Sequence, residues 1–297
     1  MEYPFTIVTD TSANLPTPMV EENGIVVVPL TYSLEGREHV CLDTVDFANG
    51  KGEEFYAMLK SGVKVTTSQI TPQKYIEVLE PLLKNGEDIL FVGMSSGISN
   101  SYNSSEVAAE QLRAAYPERK IRTVDTLAAS LGEGKAVLHA VEYRSRGLSI
   151  DEAADRLLSD RESLYQVVLL DDLMYLHRGG RVSAPKALLG TVLGLRPILK
   201  GSHDGHLVVC GKARGRKRGF EILAEKYSTL IDRLKEQLVC IAYTDCPEDA
   251  YTLRDTLQAI WKVKDFLIER YEPVTGSYVG PGTIALFFEG KRGVREY

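Results

Sequence analysis

Three short polar segments of the sequence stand at points where a predicted strand or loop leads into a helix. Thr67-Ser68-Gln69 precedes a helix pattern that opens at Pro72, Ser95-Ser96 follows a buried strand pattern, and residues 10–16 form a turn after the first strand. Hydroxyl groups and free backbone N–H groups at a helix N-terminus together favour an anion. The segments are therefore interpreted as a site for a small anionic ligand, although a single serine or threonine more often only caps its helix.

One of these segments also matches a nucleophile motif. Residues 93–97 fit G-x-S-x-G after a strand, which is the pattern of the nucleophile elbow in α/β-hydrolases and would make Ser95 the nucleophile. An acid and a base follow in the chain order that this fold requires, at Asp171, Asp172 and His177. The elbow normally turns straight into a helix, whereas residues 98–101 have the composition of further loop. A serine hydrolase therefore stays as the alternative function.

Cationic and glycine-rich segments lie in the second half of the chain. Residues 178–181 place a glycine pair between two arginines, a pattern that suits either an anion or an ordinary helix C-cap. Residues 212–218 hold five cations in seven positions, which in an acidic chain suits docking of an acidic or nucleotide-loaded partner. Residues 276–283 are interpreted as a glycine-rich loop without Walker or Rossmann spacing, so nucleotide binding by this chain is not expected.

Composition limits the class of protein. A chain of 297 residues predicts two domains, with a boundary where Gly147 ends one helix and Ser149 caps the next, giving domains 1–148 and 149–297. A net charge of -6 argues against a general nucleic-acid binder. The four cysteines and five histidines show no metal-ligand spacing, so no metal or other cofactor is expected. The sequence shows no signal-peptide pattern and no apolar run of about 20 residues, which predicts a cytoplasmic protein without stable membrane insertion.

Apolar runs and helical patterns alternate along the chain, which predicts an α/β fold with largely parallel sheets. The predicted strands are 5–9, 25–30, 89–94, 121–124, 167–170, 207–210, 239–243, 266–271 and 284–288. The predicted helices are 53–59, 72–83, 105–115, 128–145, 150–158, 186–193, 218–235 and 247–263. Ligands collect at the carboxyl ends of strands in such sheets, where the hydroxyl segments stand.

The ordered set of short motifs resembles the DegV family, which includes the fatty-acid-binding subunit of bacterial fatty acid kinase. Each motif alone is weak, but together they span nearly the whole chain in family order. The matching segments are residues 8–16, 28–30, 54–56, 67–69, 95–96, 124–126, 179–183, 196–199 and 280–282.

The resemblance implies two α/β lobes with a long-chain fatty acid between them, its acyl chain in an apolar tunnel. It places Thr67, Ser68 and one of Ser95 or Ser96 at the carboxylate. A separate ATP-using kinase subunit would phosphorylate the bound acid to an acyl-phosphate for phospholipid synthesis, so this chain would present substrate and catalyse nothing alone. The family's basic surface for that partner corresponds to Arg181, Arg214, Arg216 and Arg218.

The chain departs from the family in its last glycine-rich segment, where Tyr278 stands in place of the usual histidine. Histidine can become a cation beside a carboxylate or a phosphate, whereas tyrosine offers one neutral donor. Tyr278 is therefore expected to be a ligand-binding residue of different chemistry from the family's histidine.

Overall fold

The computed structural model describes residues 4–41, 47–183, 194–232, 237–261 and 263–297, with the backbone alone at 48 and 49. The predicted helix 186–193 lies outside these residues. The strands are β1 (Thr6–Asp10), β2 (Ile25–Val28), β3 (Leu30–Leu34), β4 (Arg37–Cys41), β5 (Val65–Ser68), β6 (Ile89–Gly93), β7 (Ile121–Asp125), β8 (Leu164–Leu169), β9 (Leu195–Gly201), β10 (Leu207–Arg214), β11 (Leu238–Tyr243), β12 (Asp265–Arg270) and β13 (Ile284–Glu289). The helices are α1 (Thr17–Glu22), α2 (Gly52–Lys60), α3 (Pro72–Lys84), α4 (Ser101–Ala115), α5 (Leu131–Ser145), α6 (Ile150–Asp160), α7 (Met174–Arg178), α8 (Arg216–Leu230), α9 (Pro247–Trp261) and α10 (Pro273–Val279).

The N-terminal sheet is parallel, as the alternation of strands and helices predicts. Its order is β2-β1-β6-β7, and each neighbouring pair runs in the same direction. Strand β6 is buried along its whole length, which explains its uninterrupted apolar sequence. The α/β class is therefore confirmed, and the carboxyl end of β6 brings residues 94–100 to one edge of this sheet.

A small antiparallel sheet, absent from the sequence prediction, carries the first hydroxyl segment. Its order is β4-β3-β5, and Tyr32 of β3 pairs with Thr67 of β5. Pro29 separates β3 from β2, because proline has no N–H to give to a continuing ladder. Residues 25–34 therefore form two strands in two sheets, where the sequence predicts a single strand at 25–30.

The prediction of largely parallel sheets is wrong for the C-terminal half. The C-terminal sheet has the order β10-β9-β8-β13-β11-β12, and only its β11–β12 pair is parallel. A parallel return needs a crossover long enough to traverse the sheet. Helix α10 has 7 residues and spans only about 10 Å, which is too short to return the chain to the other end of the strands. The chain therefore re-enters the sheet at the end where β12 stops, and β13 runs antiparallel to its neighbours β8 and β11.

Two predicted helix starts are confirmed in atomic detail. The Thr71 hydroxyl accepts a hydrogen bond from the N–H of Lys74 at 3.3 Å, with Pro72 at the first helical position. Ser149 and Glu152 form a capping box at the start of α6. These local signals succeed because each depends only on residues within one helical turn.

The core joins the two halves of the chain. One apolar cluster includes Phe5 just before β1 and Ile7 within it, together with Leu199 of β9 and Phe287 of β13. Arg122 of β7 forms ion pairs with Asp151 and Asp155 of helix α6, which is the first element of the predicted second domain. The boundary at 148/149 stays a prediction. Within the described ranges, no helix is both long and apolar enough to cross a membrane.

Candidate functional site

A cavity of about 320 Å³ lies between the three sheets and is here called the central cavity. The small sheet contributes Leu30, the C-terminal sheet contributes Val168 and Phe287, and the edge of the N-terminal sheet contributes Met94. Each of these four side chains is apolar and comes from a different strand or strand end. The central cavity therefore offers an apolar interior to an elongated ligand.

Polar side chains converge at one end of the central cavity, here called the outer end and defined by Thr67, Ser68, Arg181 and Tyr278. The hydroxyls of Thr67 and Tyr278 are 2.7 Å apart and share a hydrogen bond. The guanidinium carbon of Arg181 lies 4.6 Å from the centre of the Tyr278 ring. Hydroxyl donors and a guanidinium fork suit a carboxylate or a phosphate.

The glycine pair after α7 positions Arg181. Gly180 adopts a left-handed φ of 73°, its N–H donates to His177, and the N–H of Arg181 donates to the carbonyl of Leu176. This is a Schellman ending, so the helix C-cap considered for this motif is confirmed. The turn aims Arg181 back at the cavity, where its Nε donates to the carbonyl of Ile98 at 3.2 Å.

Helix α10 positions Tyr278 and corrects the prediction that residues 276–283 are wholly loop. The Glu272 carboxylate caps the helix by accepting from the N–H groups of Val274 and Thr275 at 2.5 and 2.7 Å, and Pro273 takes the first helical position. The Tyr278 ring packs against Gly179, where an added Cβ would lie 2.4 Å from the ring. The signal for this helix, Glu-Pro at its start, was obscured by the glycines within and after it.

A second cavity of about 570 Å³ lies on the other side of the Thr67–Tyr278 hydrogen bond and is here called the outer cavity. Thr67 and Tyr278 line both cavities, so their hydrogen bond forms part of the wall between them. The outer cavity is also lined by the cationic side chains of Lys64 and Arg178, both of which belong to exposed residues. An anionic group arriving from solvent would meet these cations before reaching the outer end.

The structure does not bring Ser95 and Ser96 to the outer end. Ser95 is fully buried, its hydroxyl donates to the carbonyl of Gly205 at 2.8 Å and accepts from the N–H of Gly97. Ser96 is exposed, and its N–H points to the Asp125 carboxylate at 3.3 Å. Neither serine lines the central cavity, so their predicted role as carboxylate ligands lacks support from this geometry.

The same observations argue against a serine hydrolase. A nucleophile must be accessible and must give its proton to a base. The Ser95 hydroxyl is inaccessible and donates to a carbonyl oxygen, and Asp171, one of the predicted acids, is paired with Arg196 and Arg216. This alternative function is therefore withdrawn.

Other polar residues of the two hydroxyl segments line the central cavity, which Ser95 and Ser96 do not. Gln69, Ser99 and Asn100 line the central cavity, and the Ser99 hydroxyl lies 3.0 Å from that of Ser101. Sequence reasoning listed these residues in the right loops but favoured Ser95 and Ser96. The deciding signal, which way each side chain faces in an irregular loop, has no sequence periodicity.

The four arginines predicted to bind a partner have different surroundings. Arg181 belongs to the outer end, and Arg216 is half-buried, paired with Asp171 and Asp249 and hydrogen-bonded to the carbonyl of Gly282. Arg214 and Arg218 are exposed, and Arg218 pairs with glutamates of its own helix. Of these four arginines, Arg214 and Arg218 therefore present a cation to solvent, beside the exposed Lys212 and Lys217 of the same segment.

The third hydroxyl segment, after β1, is closed within the core. The Ser12 hydroxyl lies 2.5 Å from a carboxyl oxygen of both Asp10 and Glu133, and all three residues are buried. Burial raises the pKa of Glu133 well above its usual range, and the nearby Asp10 carboxyl adds to this effect. Because Ser12 has one proton to donate, a protonated Glu133 would complete the chain of hydrogen bonds toward Asp10.

Fold and site together define an α/β protein with an apolar cavity that ends in hydroxyl groups and a guanidinium. No cluster of His, Cys, Asp and Glu suited to a metal ion occurs in the part of the chain that the structure describes. The model of the family described as "Uncharacterised protein, DegV family" matches residues 4–291. This chain belongs to the DegV family.

Relatives of known sequence or structure agree with this assignment. A DegV domain-containing protein of Clostridium perfringens is 36% identical over 286 residues, which are 96% of this chain and 97% of that protein. A fatty-acid-binding DegV family protein from Thermus thermophilus is 28% identical, with a TM-score of 0.85 over 96% of this chain and 99% of that one. The Streptococcus pneumoniae Fatty Acid Kinase (Fak) B3 protein, loaded with linoleic acid, shares the fold at 21% identity, with a TM-score of 0.82 over 97% of this chain and 99% of that one.

Proposed function

We propose that this protein binds a long-chain fatty acid, with the acyl chain in the central cavity and the carboxylate at the outer end. The observation that carries the proposal is the apolar cavity ending at Thr67, Ser68, Tyr278 and Arg181. The fatty-acid-binding DegV relative from Thermus thermophilus supports the ligand class. No cofactor other than the bound fatty acid is part of the proposal.

The energetics favour this orientation of the ligand. Burying about 14 methylenes at ~0.8 kcal/mol each gives a gross gain near 11 kcal/mol. Immobilising the ligand and desolvating its carboxylate offset much of that gain, so the head group needs donors. The outer end supplies hydroxyls and the Arg181 guanidinium as hydrogen-bond donors, whereas the apolar walls offer no donor to a carboxylate.

Arg181 supplies a positive charge at the outer end, where Tyr278 stands in place of the family's histidine. A tyrosine at 278 gives one neutral hydroxyl, which the Thr67 hydroxyl already engages at 2.7 Å. The positive charge comes instead from Arg181, stacked 4.6 Å from the ring centre of Tyr278. Since an arginine stays protonated across the physiological range, carboxylate binding would not require a titrating imidazole.

We further propose that the chain presents the acid to a separate ATP-dependent kinase subunit and catalyses nothing alone. The outer cavity would admit the phosphoryl group, with Lys64 and Arg178 along its approach to Thr67 and Tyr278. The exposed Arg214 and Arg218 would contact the acidic or nucleotide-loaded partner. Fold similarity to the Fak B3 protein supports this role.

A binding experiment tests the first proposal. Delipidated protein is titrated with octadecanoic acid and with octadecan-1-ol, which have the same chain but differ in the head group. The acid should bind at least about tenfold more tightly, because only it carries the charge that Arg181 and the hydroxyls accept. Equal affinity for the two ligands would contradict the proposed head-group site.

A reconstitution experiment tests the kinase role separately. The loaded protein is mixed with ATP and the fatty acid kinase subunit of a bacterium that encodes a DegV protein, and acyl-phosphate is trapped with hydroxylamine. Product should require all three components. Turnover without this chain, or none with it while fatty acid remains bound, would reject the presenting role and leave the binding role standing.

A further inference from the structure

The end of the central cavity opposite Arg181, here called the far end and defined by Ser130, Gln166 and Phe287, carries a polar side chain that the proposed function does not use. Gln166 of β8 faces Phe287 across the β8–β13 pair, and both line the cavity. Phe287 lies three residues into β13, about 10 Å along the strand from its start beside α10. Gln166 therefore stands well away from Tyr278 at the end of α10.

The side-chain amide of Gln166 has a hydrogen-bond partner at its oxygen but none at its nitrogen. Its residue is 3% exposed, and its Oε1 accepts a hydrogen bond from the N–H of Ala129 at 3.4 Å. Because that N–H can only donate, it fixes which side of the amide carries the oxygen. The Nε2 group then has no hydrogen-bond partner among the described residues, although a buried donor without one costs about 1–3 kcal/mol.

The surrounding backbone holds the amide in this position. A Cβ at Gly201 of β9 would lie 2.6 Å from Nε2, so the strand passes directly against the amide and only glycine leaves the room. Ser130 stands beside this region with φ 54° and ψ -143°, a conformation that residues other than glycine rarely adopt. Close packing thus keeps the Gln166 side chain in the wall of the cavity, with its amide nitrogen unpaired.

The far end lacks the charge that distinguishes the outer end. Its polar groups are the neutral Ser130 hydroxyl and Gln166 amide, whereas Arg181 belongs to the outer end. A second carboxylate would be unfavourable here, but a neutral oxygen would accept from Nε2 without the desolvation of a charge.

We infer that Gln166 forms a neutral subsite for acyl chains that carry a hydroxyl or keto oxygen distant from the carboxylate. The inference rests on the proposed function, because it places the acyl chain in the central cavity with its head at the outer end. An oxygen on the chain satisfies the orphan amide nitrogen, and a plain chain leaves it buried and unpaired. Discrimination therefore arises from the protein's own unsatisfied donor.

The test compares octadecanoic acid with hydroxyoctadecanoic acids that differ only in the position of the hydroxyl. Wild-type protein should bind at least one hydroxylated isomer about tenfold more tightly than the parent acid. Gln166→Met, which keeps the volume and removes the donor, should lose this preference and bind the parent acid at least as well as wild type. Leu207→Met changes the same cavity without touching a polar group, so it should keep the preference.

The outcomes separate the subsite from the proposed function. If wild type binds octadecanoic acid but prefers no isomer, or if Gln166→Met keeps the preference, the subsite is rejected and fatty-acid binding stands. A water molecule held by Gln166 would make wild type prefer no isomer. If neither acid binds to wild type, the proposed function fails and the subsite fails with it. Binding of the parent acid by Gln166→Met also shows that this variant is folded.

Discussion

The hydroxyls of Thr67 and Ser68 and those of Ser12 and Ser95 have the same chemistry but opposite surroundings. Thr67 is bonded to the Tyr278 hydroxyl at the wall of a cavity, with a cation close by. Ser95 is sealed against the Gly205 carbonyl, and Ser12 is sealed between two buried carboxyls. A hydroxyl can bind a ligand only where the fold leaves it facing open space, so the first pair is available to a ligand and the other two are not.

The largest expected effect concerns the charge at the outer end. Arg181→Met keeps much of the side-chain length but removes the guanidinium. We expect affinity for octadecanoic acid to fall about thirtyfold, since a hydrogen bond to a charged group contributes about 1.5–3 kcal/mol. Fluorescence or calorimetric titration measures the change. Arg214→Met, an exposed arginine on the basic segment, is the matched control and should bind as wild type does.

The buried carboxyl beside Ser12 should give a pH-dependent stability. A raised pKa of Glu133 in the folded state means that unfolding releases its proton at pH values between the ordinary and the raised pKa. The contribution of this residue to the free energy of unfolding therefore falls as pH rises through the raised pKa. Glu133→Gln imitates the protonated form and should flatten the decline by up to about 1.4 kcal/mol per pH unit. Urea unfolding from about pH 5 to about pH 8 measures the slope. The same slope in Glu133→Gln and wild type would contradict the assignment, and the exposed Glu142→Gln on the same helix should change nothing.

A direct comparison of the two hydroxyl environments uses Thr67→Val and Ser96→Ala. Thr67→Val keeps the shape and removes the donor, so affinity for octadecanoic acid should fall about fivefold, or about 1 kcal/mol. Ser96→Ala removes a hydroxyl from an exposed residue outside the cavity and should leave affinity unchanged. A larger loss in Ser96→Ala than in Thr67→Val would restore the serine pair to the ligand site.

No effect on fatty-acid affinity is expected from Ser95→Ala, whose consequence should appear in stability alone. The variant loses the buried hydrogen bond to Gly205 and should unfold about 1 kcal/mol more easily. Urea midpoints report the difference, and fatty-acid affinity measured on the folded variant should match wild type. A loss of affinity without a loss of stability would mean that Ser95 reaches the ligand.

Sequence reasoning succeeded where the signal was local or repeated. The buried run of β6 and the helix cap at Ser149 each depend on a few adjacent residues and were predicted, and the C-cap after Arg178 was one of the two interpretations of its motif. The C-terminal sheet was predicted with the wrong strand direction, because the direction depends on where the chain re-enters the sheet, and the short α10 before β13 was interpreted as a loop.

The sequence predicted those residues of the candidate site that belong to recognisable local motifs, and missed those whose position depends on distant packing. Thr67, Ser68 and Tyr278 emerged from motifs, whereas the placement of Arg181 at the ligand end depends on how a helix end meets a distant sheet. Gln166 had a visible signal, one polar residue within an apolar strand, but the predicted strand began at Val167 and excluded it. Whether such a residue is paired is decided by neighbours far away in sequence.

The central claim is that the apolar cavity between the sheets holds a fatty acid. The most direct measurement is mass spectrometry of the organic extract from protein purified from bacteria, for wild type and for Ala129→Phe, whose ring would fill the cavity. Wild type should release a long-chain fatty acid in a one-to-one ratio with protein, and Ala129→Phe, folded by circular dichroism, should release almost none. An empty wild-type protein, or equal lipid in the two proteins, would contradict the account.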